Sequence, residues 1–151
     1  MEQHVQETSN TFLISTFFMG NTIWGINTLK AQEVIRIVDV TCVHHAPDYI
    51  VGIINLRGKI VTIIDLAQKL NLTKLTITPT SRIIIVQWKS EYIGFLVDKV
   101  SDVITAQKEK LVPPPSNING TQGKYFEGVY QDDDQLIALL NVDQILSNKE
   151  N

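Results

Sequence analysis

The sequence predicts an all-β protein made of two barrel-like halves packed side by side, with short helices. Short β-branched segments alternate with turn residues, the same order of segments occurs twice, and only two short segments carry helix-start signals. Small barrels also pair the strand edges that would otherwise invite association. We therefore expect apolar faces to meet in a hydrophobic seam between the halves.

The composition limits the class of protein. The chain has 151 residues, of which 44% are hydrophobic and 19% charged, as in a soluble globular domain. A net charge of −3 gives no electrostatic support for binding a phosphate backbone. The single cysteine, Cys42, excludes an internal disulfide and is predicted to be a buried small hydrophobe. With no secretory signal or apolar span visible, we expect a cytoplasmic location.

Two hairpins and a helix are predicted in each half. The hairpin strands are residues 12–19 with 22–26, 52–55 with 59–64, 82–88 with 91–97, and 128–130 with 136–140. Each half then closes with a short helix, because Asp65 with Gln68, and Asn141 with Gln144, have the spacing of an N-cap and its reciprocal partner.

An internal repeat organises these elements. Residues 23–35 align with 92–104, residues 49–53 with 125–129, and residues 60–70 with 136–146. The offset changes from 69 to 76 around the prolines of residues 112–117, where a loop is expected. The predicted organisation is an N-terminal tail (1–11), a domain (12–147) with halves of about 12–72 and 82–147, and a C-terminal tail (148–151).

No cluster of side chains predicts catalysis, a metal or a cofactor. His44 and His45 are adjacent on the chain, so they point to opposite faces and favour a surface loop over a metal site. The acidic run of residues 132–134 lacks the glycine and distant glutamate of a calcium loop and is predicted to be a hairpin tip. No glycine-rich phosphate loop or nucleophile elbow occurs.

The two central turns differ in charge. In the first half the turn runs through Asn55, Arg57, Gly58 and Lys59, whereas its counterpart is the acidic run. Arg57 presents a planar five-donor fork on a tight turn. It could stabilise its own barrel through Glu33 or Asp65, or it could bind an acidic partner, and the sequence leaves both open.

Residues 49–66, which contain Asn-Leu-Arg-Gly at 55–58, resemble the signature segment of the CheW family, the coupling proteins of bacterial chemotaxis arrays. Residues 23–34, 94–103 and 136–146 are also similar to that family, so the resemblance covers nearly the whole chain. It implies two five-stranded SH3-like barrels and a non-catalytic adaptor that couples chemoreceptor tips to the histidine kinase CheA.

The resemblance also implies partner-binding residues. Arg57, in its Asn55-to-Gly58 motif, and the Gln32-Glu33 pair match the kinase-coupling region. The strands around Ile83, Ile85, Val97 and Val100 match the region that contributes to a receptor groove. The alternatives are a paralogue in a pilus or other chemosensory pathway and a barrel that binds a small ligand or an oligonucleotide.

Overall fold

A computed structural model describes residues 10–118 and 120–147 of the chain. The described part is mostly β, which confirms the predicted fold class. The strands are β1 (Thr11–Met19), β2 (Thr22–Asn27), β3 (Ala31–Arg36), β4 (Ile50–Leu56), β5 (Lys59–Asp65), β6 (Arg82–Trp88), β7 (Glu91–Val97), β8 (Lys99–Gln107), β9 (Leu111–Val112), β10 (Asn117–Ile118), β11 (Thr121–Gln122), β12 (Phe126–Asp132) and β13 (Gln135–Leu140).

Helical structure is short. The described residues include two α-helices, α1 (Leu66–Lys69) and α2 (Val142–Ser147), and single 3-10 turns at Thr28–Lys30, Lys108–Lys110 and Gly123–Tyr125. The caps are as predicted: Asp65 Oδ1 accepts from Gln68 N at 3.1 Å, and Asn141 Oδ1 accepts from Gln144 N at 3.1 Å. The predicted tails lie outside the described residues, except that β1 already begins at Thr11.

The described part of the chain forms two large sheets and the small two-stranded β10–β11 sheet. One large sheet has six strands in the order β8-β1-β2-β13-β12-β9, and the other has five in the order β3-β6-β7-β5-β4. All four predicted hairpins are present. In both sheets one parallel pair joins two hairpins, β2 with β13 and β5 with β7.

The sheets do not follow the two halves of the sequence, which corrects the prediction that each half forms its own barrel. The first hairpin of each half belongs to the sheet completed by the other half, so β1 and β2 pair with β8 and β13. The cause is the parallel pairing between hairpins, a long-range contact that local turn signals do not encode. The chain is therefore interleaved between its sheets.

The sequence repeat is visible in the backbone. Asp65 N donates to the Tyr49 carbonyl, and Asn141 N donates to the Tyr125 carbonyl, both at 2.8 Å. Tyr49 and Tyr125 are 76 residues apart, as are the bulges before Gly52 and Gly128. The β10–β11 hairpin lies between residues 104 and 125, where the offset of the repeat changes from 69 to 76.

Three hydrophobic clusters hold this arrangement. One lies within each sheet, around Ile83 in the five-stranded sheet and Ile137 in the six-stranded sheet. The largest spans both sheets and both helices, and it contains Trp24, whose ring stacks on Phe126 at 5.9 Å between centroids. Burial of such side chains contributes about 1.5 to 3 kcal/mol each, so the predicted seam is a major part of the core.

Candidate protein-binding site

The β4–β5 hairpin closes with a two-residue turn. Leu56 pairs with Lys59, and Arg57 and Gly58 between them have φ values of +52° and +85°. Two successive positive φ values are typical of a type I′ turn, in which Asn-Gly is favoured because a bulky L-residue is strained there. The Asn55 side-chain oxygen accepts from Gly58 N at 2.9 Å and braces the turn. The hairpin therefore fixes the backbone position of Arg57.

Arg57 forms an ion pair with Glu33 on β3. Its Nη2 donates to Glu33 Oε1, while 67% of the Arg57 side chain and 36% of the Glu33 side chain remain exposed. Asp65, the other possible partner, is buried, caps α1 and accepts from Leu75 N at 3.0 Å. Most of the Arg57 side chain therefore stays accessible to another protein, and the exposed ion pair itself stabilises the fold by only about 0 to 1 kcal/mol.

A cleft of about 160 Å³ opens beside this turn. Its lining residues are Gln32, Glu33, Leu56, Arg57, Lys59, Val61, Ile85 and Tyr92. Lys59 Nζ donates to the Tyr92 hydroxyl at 3.0 Å and lies 4.6 Å from the ring centroid. Gln32 Nε2 donates to Gln87 Oε1 at 3.3 Å. The structure thus brings Gln32, Glu33 and Arg57 together around one cleft.

The sequence did not single out Tyr92 for this cleft. Tyr92 begins the parallel pairing of β7 with β5, opposite Val61. No local pattern connects Tyr92 to Lys59, because the contact depends on the pairing of two hairpins. Only the choice of the parallel partner strand would have revealed it.

Three of the expected receptor contacts lie in the core. Ile83 and Val97 have no exposed surface and Ile85 has 2%. Ile83 and Ile85 fill the interior of the five-stranded sheet, and Val97 belongs to the cluster shared by both sheets. The prediction that these three residues contact a partner directly is therefore wrong, because their side chains pack in the core. Val100 on β8 is partly buried and packs against the shared cluster at the seam.

The seam carries a second, larger cleft of about 570 Å³. The β1–β2 turn at Gly20 forms one wall, and the segment after α1 with Leu72 and Leu75 forms another. Gly20 N donates to Asp98 Oδ2 at 2.6 Å. The Trp24 side chain also lines this cleft, although its indole Nε1 is buried without a hydrogen-bond partner in the described structure.

The remaining candidate residues lie on surface loops. His44 and His45 are exposed, and Cys42 is exposed as well, so its predicted burial is wrong. The run from Val38 to Val43 makes only an isolated bridge at Thr41 instead of a buried strand. Asp133 and Asp134 form the predicted exposed hairpin tip.

Within residues 10–118 and 120–147, no three His, Cys, Asp or Glu side chains come together as a metal site. In the same part of the chain, no helix has both the length and the apolar character needed to cross a bilayer.

The fold and the site define a small β scaffold that offers fixed side-chain surfaces to other proteins. A family model for the CheW-like domain matches residues 14–150. The chemotaxis protein CheW of Klebsiella aerogenes is 33% identical over 139 residues, covering 92% of this chain and 82% of the relative. CheW of Thermotoga maritima is 32% identical over 135 residues, covering 89% and 87%.

A solved structure is similar as well. The scaffolding protein TtCheW from Thermoanaerobacter tengcongensis is 31% identical, has a TM-score of 0.82, and the match covers 89% of this chain and 86% of that chain. The chain belongs to the CheW family. Its role is that of a chemotaxis adaptor, and the family it belongs to is one of scaffolds.

Proposed function

We propose that this chain is a non-catalytic cytoplasmic adaptor that links the regulatory domain of a CheA-type histidine kinase to the tips of chemoreceptors in membrane-associated arrays. The observation that carries the proposal is the Arg57 guanidinium, two-thirds exposed on a strained type I′ turn within a CheW-like fold. A turn of this type has no backbone need for arginine, so its side chain is the feature to explain.

The kinase-facing surface consists of the β4–β5 turn and the adjacent bulge of β3. Asn55 and Gly58 set the turn geometry, and Arg57 with Glu33 supplies its charge. Gln32 is the extra residue of the β3 bulge, between the pairs that Ala31 and Glu33 form with β6. A bulge of this kind re-aims side chains at the edge of a sheet, and β3 is an edge strand.

The receptor-facing surface lies along the seam, with Val100 as its candidate contact. Both sheets contribute apolar side chains here, and Leu29, in the 3-10 turn that leads from β2 to β3, is 89% exposed. A concave apolar junction is the kind of feature that a helical partner covers, and the exposed Leu29 adds a separate apolar surface.

The mechanism is differential binding. Two partners on different faces of a stiff molecule influence each other only if one partner's states favour different placements of the other. The interleaved sheets supply the stiffness, and repeated linked contacts in an array compensate for weak individual ones.

The test measures assembly directly. The wild-type chain is mixed with a purified kinase regulatory domain and a receptor-tip fragment, and complexes are resolved by size exclusion and titrated by calorimetry. Arg57→Glu is expected to weaken kinase-domain binding at least tenfold, because it places a carboxylate beside Glu33. Its Tm should stay within a few degrees of wild type, since an exposed pair contributes little to folding.

Arg36→Glu is the matched control, because Arg36 is an exposed arginine on the same strand as Glu33. Wild-type chain that binds neither partner would contradict the adaptor proposal. A folded Arg57→Glu variant that binds as well as Arg36→Glu would remove Arg57 from the contact surface.

A further inference from the structure

The cleft beside the β4–β5 turn carries more positive charge than its carboxylate neutralises. Arg57 and Lys59 both line it, and Glu33 is its acidic lining residue. Glu33 pairs with Arg57. Among the described residues Lys59 forms no ion pair, and its ammonium contacts the neutral hydroxyl and ring of Tyr92. In a chain of net charge −3, this is a local site for an anion.

The volume of the cleft limits the size of the anionic group that can enter it. Its volume of about 160 Å³ is below the range of roughly 300 to 1,000 Å³ that small-molecule sites occupy. A single aspartate or glutamate side chain is small enough to enter. The floor of the cleft is formed by Val61 and Ile85, whose side chains are almost fully buried in the sheet.

Arg57 and Lys59 are each held in place by a different part of the structure. Arg57 is fixed by its turn, with φ at +52°, a conformation that is strained for a bulky L-residue. Lys59 is held by Tyr92, through a hydrogen bond of 3.0 Å and a cation–π contact. A carboxylate entering the cleft would accept from an arginine fork and a lysine ammonium together, which is the strong form of a charge-assisted hydrogen bond.

We propose that this cleft receives the carboxylate of one aspartate or glutamate of a partner protein, held between Arg57 and Lys59. Glu33 competes with the incoming carboxylate for Arg57, and Tyr92 positions Lys59. The inference rests on the proposed function and deepens it, because it names the chemistry that the adaptor recognises at this surface.

The first experiment titrates variants with the kinase regulatory domain at low and high salt. Lys59→Met should weaken binding about tenfold, and the salt dependence should become shallower because one charge is lost. Tyr92→Phe keeps the ring and loses the hydroxyl contact, so a loss of about two- to threefold is expected. Lys89→Met is the matched control, since Lys89 is another exposed turn lysine of the same sheet over an aromatic ring.

Glu33→Gln separates this proposal from a purely structural role of the ion pair. Because the variant removes the internal competitor, it should bind the kinase domain several-fold more tightly. If Arg57–Glu33 only braced the fold, Glu33→Gln would bind equally or less well, and that outcome overturns the proposal. Lys59→Met binding as tightly as Lys89→Met overturns it too.

A second experiment needs no partner protein. A blocked glutamate dipeptide is titrated into the isotope-labelled chain, and NMR shifts are followed at the Arg57 and Lys59 side chains. Saturable shifts at both, larger in Glu33→Gln than in wild type, are expected. Their absence would overturn the carboxylate site even if the kinase domain binds. Shifts without any kinase binding would instead locate the failure in the proposed function.

Discussion

The β4–β5 and β12–β13 turns match in length and in the φ value of their first residue, and they carry opposite charge. Arg57 and Asp133 occupy equivalent positions, 76 residues apart, with φ values of +52° and +53°. Both turns are two residues long, between Leu56 and Lys59 in one sheet and between Asp132 and Gln135 in the other. The repeat has kept the length of the turn and the positive φ of its first residue. The second residue differs, because φ is +85° at Gly58 and is not positive at Asp134, and the charge of the turn has been reversed. The two turns therefore present opposite charge to any partner protein.

The largest expected effect tests whether the equivalent glycines of the repeat are packed equally tightly in the two large sheets. Gly25 and Gly94 are repeat equivalents, and a Cβ at either would lie 2.4 Å from Ile14 Cγ2 or 2.6 Å from Ile83 Cγ2. Gly25→Ala and Gly94→Ala should each lower the free energy of unfolding by about 1 to 3 kcal/mol through overpacking. Urea titration measures both. A large loss of unfolding free energy at one glycine and none at the other would contradict equivalent packing in the two sheets.

A smaller effect separates the turns. Arg57→Gly relieves strain but removes the ion pair, so stability should change by no more than about 0.5 kcal/mol while kinase-domain binding is lost. Asp133→Gly relieves the same strain without losing an ion pair, and we expect a gain of about 0.5 kcal/mol with binding unchanged. Denaturant unfolding and calorimetry report the two properties separately. Loss of binding in Asp133→Gly would show that the acidic turn also contacts the kinase.

The smallest effect concerns a charge that only one sheet carries. Burial raises the pKa of the Glu127 carboxyl on β12, Lys30 lowers it, and Asp143 raises it further, whereas the repeat equivalent of Glu127 is Val51. A raised pKa favours the protonated carboxyl in the folded state, so its stabilising effect is present at low pH and is lost as pH rises through the folded pKa.

Glu127→Gln should therefore be slightly more stable than wild type at neutral pH and match it in acid, below the ordinary glutamate pKa of 4.5. Thermal melts of both proteins across this range measure the difference. A variant that is less stable than wild type at neutral pH would mean that the contact with Lys30 outweighs burial.

Local signals predicted the hairpins, the two capped helices and the repeat, because turn residues and strand patterns act over a few positions. The predicted reciprocal contacts of the two caps are the exception. Asp65 N donates to the Tyr49 carbonyl and Asn141 N to the Tyr125 carbonyl instead, and Gln68 Oε1 is buried without a partner among the described residues. The interleaving of the sheets was not predictable from such signals, because the β2–β13 and β5–β7 pairs join distant segments.

The candidate site was predictable in part for the same reason. Arg57 was identified from its turn and its motif, and Glu33 was one of two possible partners. Ile83 and Val97 are ordinary strand hydrophobes, and their sequence does not distinguish a barrel interior from an exposed groove. Cys42 lies in an apolar run that resembles a strand, yet the segment is irregular and exposed because only Thr41 pairs with a neighbour.

The exchange of the first hairpins has a mechanical consequence. The chain passes from one sheet to the other through three residues, Thr28–Lys30, and returns through Asp98 alone. Both links are short and the two sheets share the largest hydrophobic cluster, so one sheet cannot swing away from the other without separating that buried core. A partner bound to one sheet is thereby kept at a fixed distance and angle from a partner bound to the other sheet.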